Sequence, residues 1–88
     1  MTAMNKEIET TVRRILDDVV QGLGNTPGRV SGDANLLDTG VLDSFGFLDF
    51  IGALEEAFGV RIDITELDEG RMTSIEGLSA EITRLRAT

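Results

Sequence analysis

The chain has 88 residues, with 16 acidic and 8 basic side chains and a formal net charge of −8. It contains no Cys and no His, which excludes a disulfide scaffold, a thiol nucleophile and the usual neutral-pH general base. The length allows one domain with a small core, and the acidic balance argues against nucleic acid or an anionic membrane as partner.

The first periodic segment runs from about Asn5 to Gln21. Ile8, Val12, Ile15, Leu16, Val19, Val20 and Leu23 recur at helical steps, the mark of an amphipathic helix. Gly22 and Gly24 suit its end. Residues 1–10 carry Lys6 but no apolar block, so no secretory signal is expected and the expected compartment is the cytoplasm. No apolar run approaches the length needed to cross a bilayer.

From Gly24 to Leu42 the pattern lapses into turn formers, among them Pro27, Gly28, Ser31, Gly32 and Asp33. Leu36, Leu37, Val41 and Leu42 interrupt this long loop and are expected to pin it onto the helices.

A second helix is expected to start at Asp43 or Ser44 and end near Gly59. At 100° per residue, Phe47, Phe50, Ile51, Leu54 and Phe58 share the core face. Ser44, Phe45, Leu48, Asp49, Gly52, Glu55 and Glu56 lie opposite or on its border. This is the most apolar of the segments and is expected to be central. Val60, Ile62 and Ile64 alternate but lack a partner strand, so an extended link is expected, then a helical turn around Thr65–Glu69. The last helix is expected at Thr73 or Ser74, with Thr73 and Glu76 as a capping box and Ile75, Leu78, Ile82 and Leu85 as its stripe. Arg84 and Arg86 complement its dipole. The expected fold is all-α: a small three- to four-helix bundle, one domain with its core at about 5–86, and a long loop between the first two helices.

The chemistry open to this chain is narrow. Its carboxylates lack calcium-loop spacing, a chain this small has little room for a cleft, and without His no Ser-His-Asp triad can form. Catalysis by the chain alone is not expected. Ser44 stands out by position. With Asp43 as N-cap, Ser44 sits in the first turn, where the dipole and open N–H groups favour an attached anion such as a phosphodiester. Another enzyme must attach it, since nothing here activates the hydroxyl. Taken alone, an Asp-Ser pair also fits a plain helix start.

The runs LLDTGVLDSF, LDFIGALEEAFGVRI and TSIEGL resemble the acyl carrier protein family over roughly Leu36 to Leu78. The family's motif places a serine at the start of its second helix, where it receives 4′-phosphopantetheine from coenzyme A. Asp43 and Ser44 match that motif, with Phe45 in place of the usual Leu or Met. Leu54, Glu55, Glu56 and Phe58 match the end of the helix. The stretch Gly40-Val41-Leu42-Asp43-Ser44, Gly46 and the segment ITELDEGRMTS look most like stand-alone D-alanyl and related aminoacyl carriers. Fatty-acid carriers usually have Asp at the position of Gly46 and a small or polar residue at that of Phe47.

The resemblance implies a non-enzymatic carrier with the arm on Ser44. Its expected partners are a phosphopantetheinyl transferase, an adenylating enzyme that loads an acyl or aminoacyl group as a thioester, and a downstream acyl-accepting enzyme. Phe45 and Leu48, rimmed by Asp49, Glu55 and Glu56, form a candidate docking face for basic partners. Packing under the first loop is the alternative for the two apolar residues, and a solvated helix face for the three acids. Phe47, on the core face, is expected to fill the interior, so that a short or polar cargo stays outside. A carrier that visits several partners is expected to be monomeric. The alternative from another class is an acidic helical interaction module of the same fold, never modified.

Overall fold

A computed structural model describes residues 2–24, 28, 30–63 and 73–86. Three helices carry the fold: α1 (Thr2–Gly22), α2 (Ser44–Phe58) and α3 (Ile75–Arg86). Among the described residues there is no strand, as expected for an all-α bundle. The helical turn expected at Thr65–Glu69, together with Ile64, lies outside the described residues.

The apolar stripes become the core. Ile8, Val12, Ile15, Leu16 and Val20 of α1 pack with Phe47, Phe50, Ile51 and Leu54 of α2 and with Ile75, Leu78 and Ile82 of α3. Val19, Phe58 and Leu85 pack against this cluster from its margin. Both α2 and α3 pack against α1, so the central place expected for α2 belongs to α1. Length explains this. At 3.6 residues per turn the 21-residue α1 spans five to six turns, long enough to serve two neighbours, whereas the 15-residue α2 turns one apolar face inward. Leu23 leaves the stripe, because α1 ends at Gly22 and Leu23 turns outward to 46% exposure.

Helix ends follow local chemistry. Gly59 closes α2 in the left-handed region at φ 66°, and the amides of Gly59 and Val60 both donate to Glu55 O. The start of α3 differs from expectation. Ser74, not Thr73, provides the cap, its Oγ accepting from Gly77 N at 3.0 Å. Thr73 Oγ1 is buried with no hydrogen-bond partner among the described residues. The amide of Glu76 donates instead to Gly32 O at 2.9 Å. That bond and the one from Leu36 N to Thr73 O at 2.8 Å fasten the long loop to the start of α3.

The loop is anchored by some of its apolar residues. Leu36 and Leu42 are buried and Val41 is half-buried against the core, as expected, but Leu37 is exposed. Arg13 of α1 holds the loop from the other side, donating through Nη1 to Val30 O at 2.8 Å while its Nε pairs with Glu9. After Gly59 the chain runs without regular structure through residue 63. Val60 is half-buried and Ile62 is buried.

Candidate functional site

The segment before α2 is a self-bonded turn. Asn35 Oδ1 accepts from Leu37 N at 2.9 Å and Asp38 N at 3.0 Å. Thr39 N donates to Asn35 O, Gly40 N to Leu37 O and Leu42 N to Leu36 O. Gly40, at φ 78°, takes the left-handed conformation that lets this turn close. With Leu36 and Leu42 locked in the core, Asp43 emerges at a fixed place on the surface.

Asp43 is the N-cap. Its backbone is extended, its Oδ1 accepts from Gly46 N at 2.7 Å, and its carbonyl accepts from Phe47 N at 2.8 Å. Leu42 and Phe47 occupy the two positions of a hydrophobic staple, and both are buried. The cap and the staple together explain why α2 begins at Ser44 and nowhere else.

Ser44 is the first residue of α2 and is exposed. Its hydroxyl has no hydrogen-bond partner among the described residues, and neither do the amides of Ser44 and Phe45. An exposed hydroxyl beside two open amides at the positive end of a helix dipole suits attachment of a phosphodiester. Ser44 is exposed among the described residues, which leaves room for an arm to depart from the surface. Nothing activates it either, since this chain has no His or Cys to take the proton. Among the described residues no group of His, Cys, Asp or Glu side chains could hold a metal ion, and no helix is long and apolar enough to cross a membrane.

The other singled-out residues divide. Phe45 is 80% exposed and Leu48 is 48% exposed, so neither packs under the loop. Asp49 and Glu56 are exposed on the same side of α2. Glu55 is half-buried, and its Oε2 accepts from Ile62 N at 2.7 Å, which ties the extended link back to α2. Its carboxylate therefore has a partner inside the molecule. Phe47 is buried in the core, as its place on the helical wheel predicts. One feature of the site escapes sequence reasoning: Leu23, from the end of α1, lies against the first turn of α2 at Gly46. A glycine in the first turn of an otherwise apolar helix was the available signal, since it marks a close approach.

Residues 8–82 match the family model described as the phosphopantetheine attachment site. The chain belongs to that family. Curated relatives agree with the match. The D-alanyl carrier protein of Bacillus velezensis (strain DSM 23117 / BGSC 10A6 / LMG 26770 / FZB42) is 26% identical over 74 residues, covering 84% of this chain and 95% of the relative. That of Lacticaseibacillus casei (strain BL23) is 28% identical over 68 residues, 77% of this chain and 84% of the relative. D-alanyl carrier protein 2 of Lactiplantibacillus plantarum (strain ATCC BAA-793 / NCIMB 8826 / WCFS1) is 26% identical over 81 residues, 91% of this chain and 95% of the relative. The chain is thus a phosphopantetheine-bearing carrier protein of the acyl carrier family, similar to stand-alone D-alanyl carriers, with covalent 4′-phosphopantetheine as its cofactor. Members of the family are carriers rather than enzymes, and they work with enzymes that modify them and handle their cargo.

Proposed function

We propose that Ser44 is the attachment residue, and that this chain is a single-domain, monomeric, cytoplasmic carrier of a short aminoacyl or similar acyl group. The observation that carries this reading is the exposed, unpartnered hydroxyl of Ser44 at the capped start of α2, within the residues that match the family. 4′-Phosphopantetheine supplies the thiol that this chain lacks, and with it the capacity to hold a carboxylic acid as a thioester. The residues of the chain do the rest. Asp43 holds the helix start in place through Gly46 N. The open amides of Ser44 and Phe45, at the positive end of the α2 dipole, would favour the negative charge of an attached phosphodiester. A phosphopantetheinyl transferase provides the base that accepts the Ser44 proton.

The cargo reading rests on the interior and on the relatives. Phe47 and Phe50 are buried and fill the space beneath α2, which favours a cargo that stays outside the bundle. The relatives are named D-alanyl carrier proteins, which supports an amino acid of that size. An adenylating enzyme loads it and an acyl-accepting enzyme removes it. Phe45 and Leu48 form an apolar docking surface bordered by Asp49 and Glu56, suited to a partner with basic residues around an apolar contact. Glu55 contributes to that border through the face of its carboxylate not bound to Ile62.

Intact mass after incubation with coenzyme A, magnesium and a broad-range phosphopantetheinyl transferase tests the assignment. The expected result is a gain of one phosphopantetheine unit in the wild type and none in Ser44→Ala. A gain that survives in Ser44→Ala, or no gain in a folded wild type beside an active control carrier, refutes it.

A further inference from the structure

The first turn of α2 has a notch. Gly46, its third residue, is buried, and a Cβ placed there would stand 3.0 Å from Leu23 Cδ1, 3.2 Å from Asp43 Oδ1 and 3.3 Å from Leu42 Cδ2. A single point thus touches the end of α1, the N-cap and the staple leucine. Leu23 is held there by its backbone, its amide donating to Val19 O and Val20 O, with Gly24 turning the chain at φ 83° immediately after it. The Leu23 side chain occupies the notch and still leaves 46% of the residue exposed. An exposed leucine held in place by its backbone can lend apolar area to the core of an interface without first being ordered.

Leu23 and the Asp43 carboxylate border the same notch at Gly46, and Asp43 directly precedes Ser44. Any enzyme that reaches Ser44 Oγ must lay its surface over the first turn of α2, and Leu23 lies against that turn. We propose that Leu23 is a specificity-determining contact for the phosphopantetheinyl transferase that modifies Ser44, presented there because Gly46 leaves room for it. The inference rests on the assignment of Ser44. The transferase surface that fits is apolar where it meets Leu23. It receives an apolar contact from the end of α1 as well as the one from Phe45 on α2. Gly46 is a positioning residue: its missing side chain leaves room for Leu23 beside the Asp43 carboxylate and Leu42.

Transferase kinetics on the full-length protein test this, with carrier concentration varied at saturating coenzyme A and magnesium. Leu23→Ala should raise KM for the carrier about five- to tenfold and leave kcat within about twofold. Leu23→Gln, which keeps the length and removes the apolar end, should do the same. Gly46→Ala should raise KM by a smaller factor, about twofold, because Leu23 must shift a few tenths of an ångström, while alanine favours the helix and keeps the protein folded. The double variant Leu23→Ala/Gly46→Ala should raise KM by less than the product of the two single effects, because truncating Leu23 removes the tightest of the contacts that a Cβ at Gly46 meets. Circular dichroism confirms that each variant is folded at the assay temperature. Wild-type KM in folded Leu23→Ala and Leu23→Gln overturns the proposal while leaving Ser44 in place. Failure of the wild type to be modified overturns the Ser44 assignment itself.

Discussion

Replacing Asp43 by alanine removes the acceptor that closes the first turn of α2. The bond from Gly46 N is 2.7 Å long and its acceptor is a carboxylate, the short, charge-assisted kind. Loss of an N-cap costs about 1 kcal/mol, within a range of about 0.5–2. The negative charge adds about 0.3–1 kcal/mol through the helix dipole. Asp43 is exposed, so water compensates part of both contributions, and about 1–1.5 kcal/mol is expected. For a domain of this size each kcal/mol moves the melting temperature by about 4–8 °C. Asp43→Ala should therefore melt about 5–10 °C below the wild type. Asp43→Asn keeps an oxygen acceptor and loses only the charge, so its melting temperature should fall by no more than a few degrees. That smaller loss should shrink in high salt, which screens the dipole interaction. Far-UV circular dichroism melts of the three proteins at low and high salt measure the difference. A melting temperature for Asp43→Ala within about 1 °C of the wild type would refute the capping argument. So would an Asn variant as unstable as the Ala variant.

Three further outcomes follow from packing and hydrogen bonding. Phe50→Ala, at a fully buried position, should cost about 3–5 kcal/mol; against a total of about 4–13 kcal/mol for a chain of this length, urea unfolding should show a midpoint cut by roughly a quarter or more. Glu55→Ala leaves the amide of Ile62 without its acceptor and should cost about 1 kcal/mol, with faster hydrogen exchange at Ile62 as the local signature. Thr73→Val keeps the shape and removes a buried hydroxyl that has no partner, so the melting temperature should hold or rise by a few degrees.

The division of labour at Glu55 and Leu23 has consequences for how this surface is read. The α2 face that carries Phe45, Leu48, Asp49 and Glu56 is exposed, whereas Glu55 holds the link after α2 in place. A substitution at Glu55 that weakens a partner interaction therefore needs a stability measurement beside it before the effect is assigned to docking. The same comparison at Asp49 or Glu56, which are exposed, tests the proposed docking surface more directly.

Local chemistry made much of this protein legible from its residues alone. The spacing of Ile8, Val12, Ile15, Leu16 and Val20 announces α1, and Asp43 and Gly59 bracket α2 because each satisfies the backbone groups at one end of that helix. The same local logic put Ser44 at the first turn, exposed and unpartnered. Tertiary contacts decided the rest. Thr73 and Ser74 are both competent caps by composition, and the loop, by taking the Glu76 amide on Gly32 O, left the cap to Ser74. Glu55 lies on the outer border of α2 by rotation, yet the chain returning after Gly59 brings the amide of Ile62 to its carboxylate. Leu23 continues the stripe of α1 by spacing, yet the helix stops at Gly22 and the bare Cα of Gly46 draws Leu23 to the other helix. Periodicity and capping act between residues a few positions apart, so they can be read along the chain; these three outcomes depend on groups brought together from distant positions, and only folding supplies that proximity.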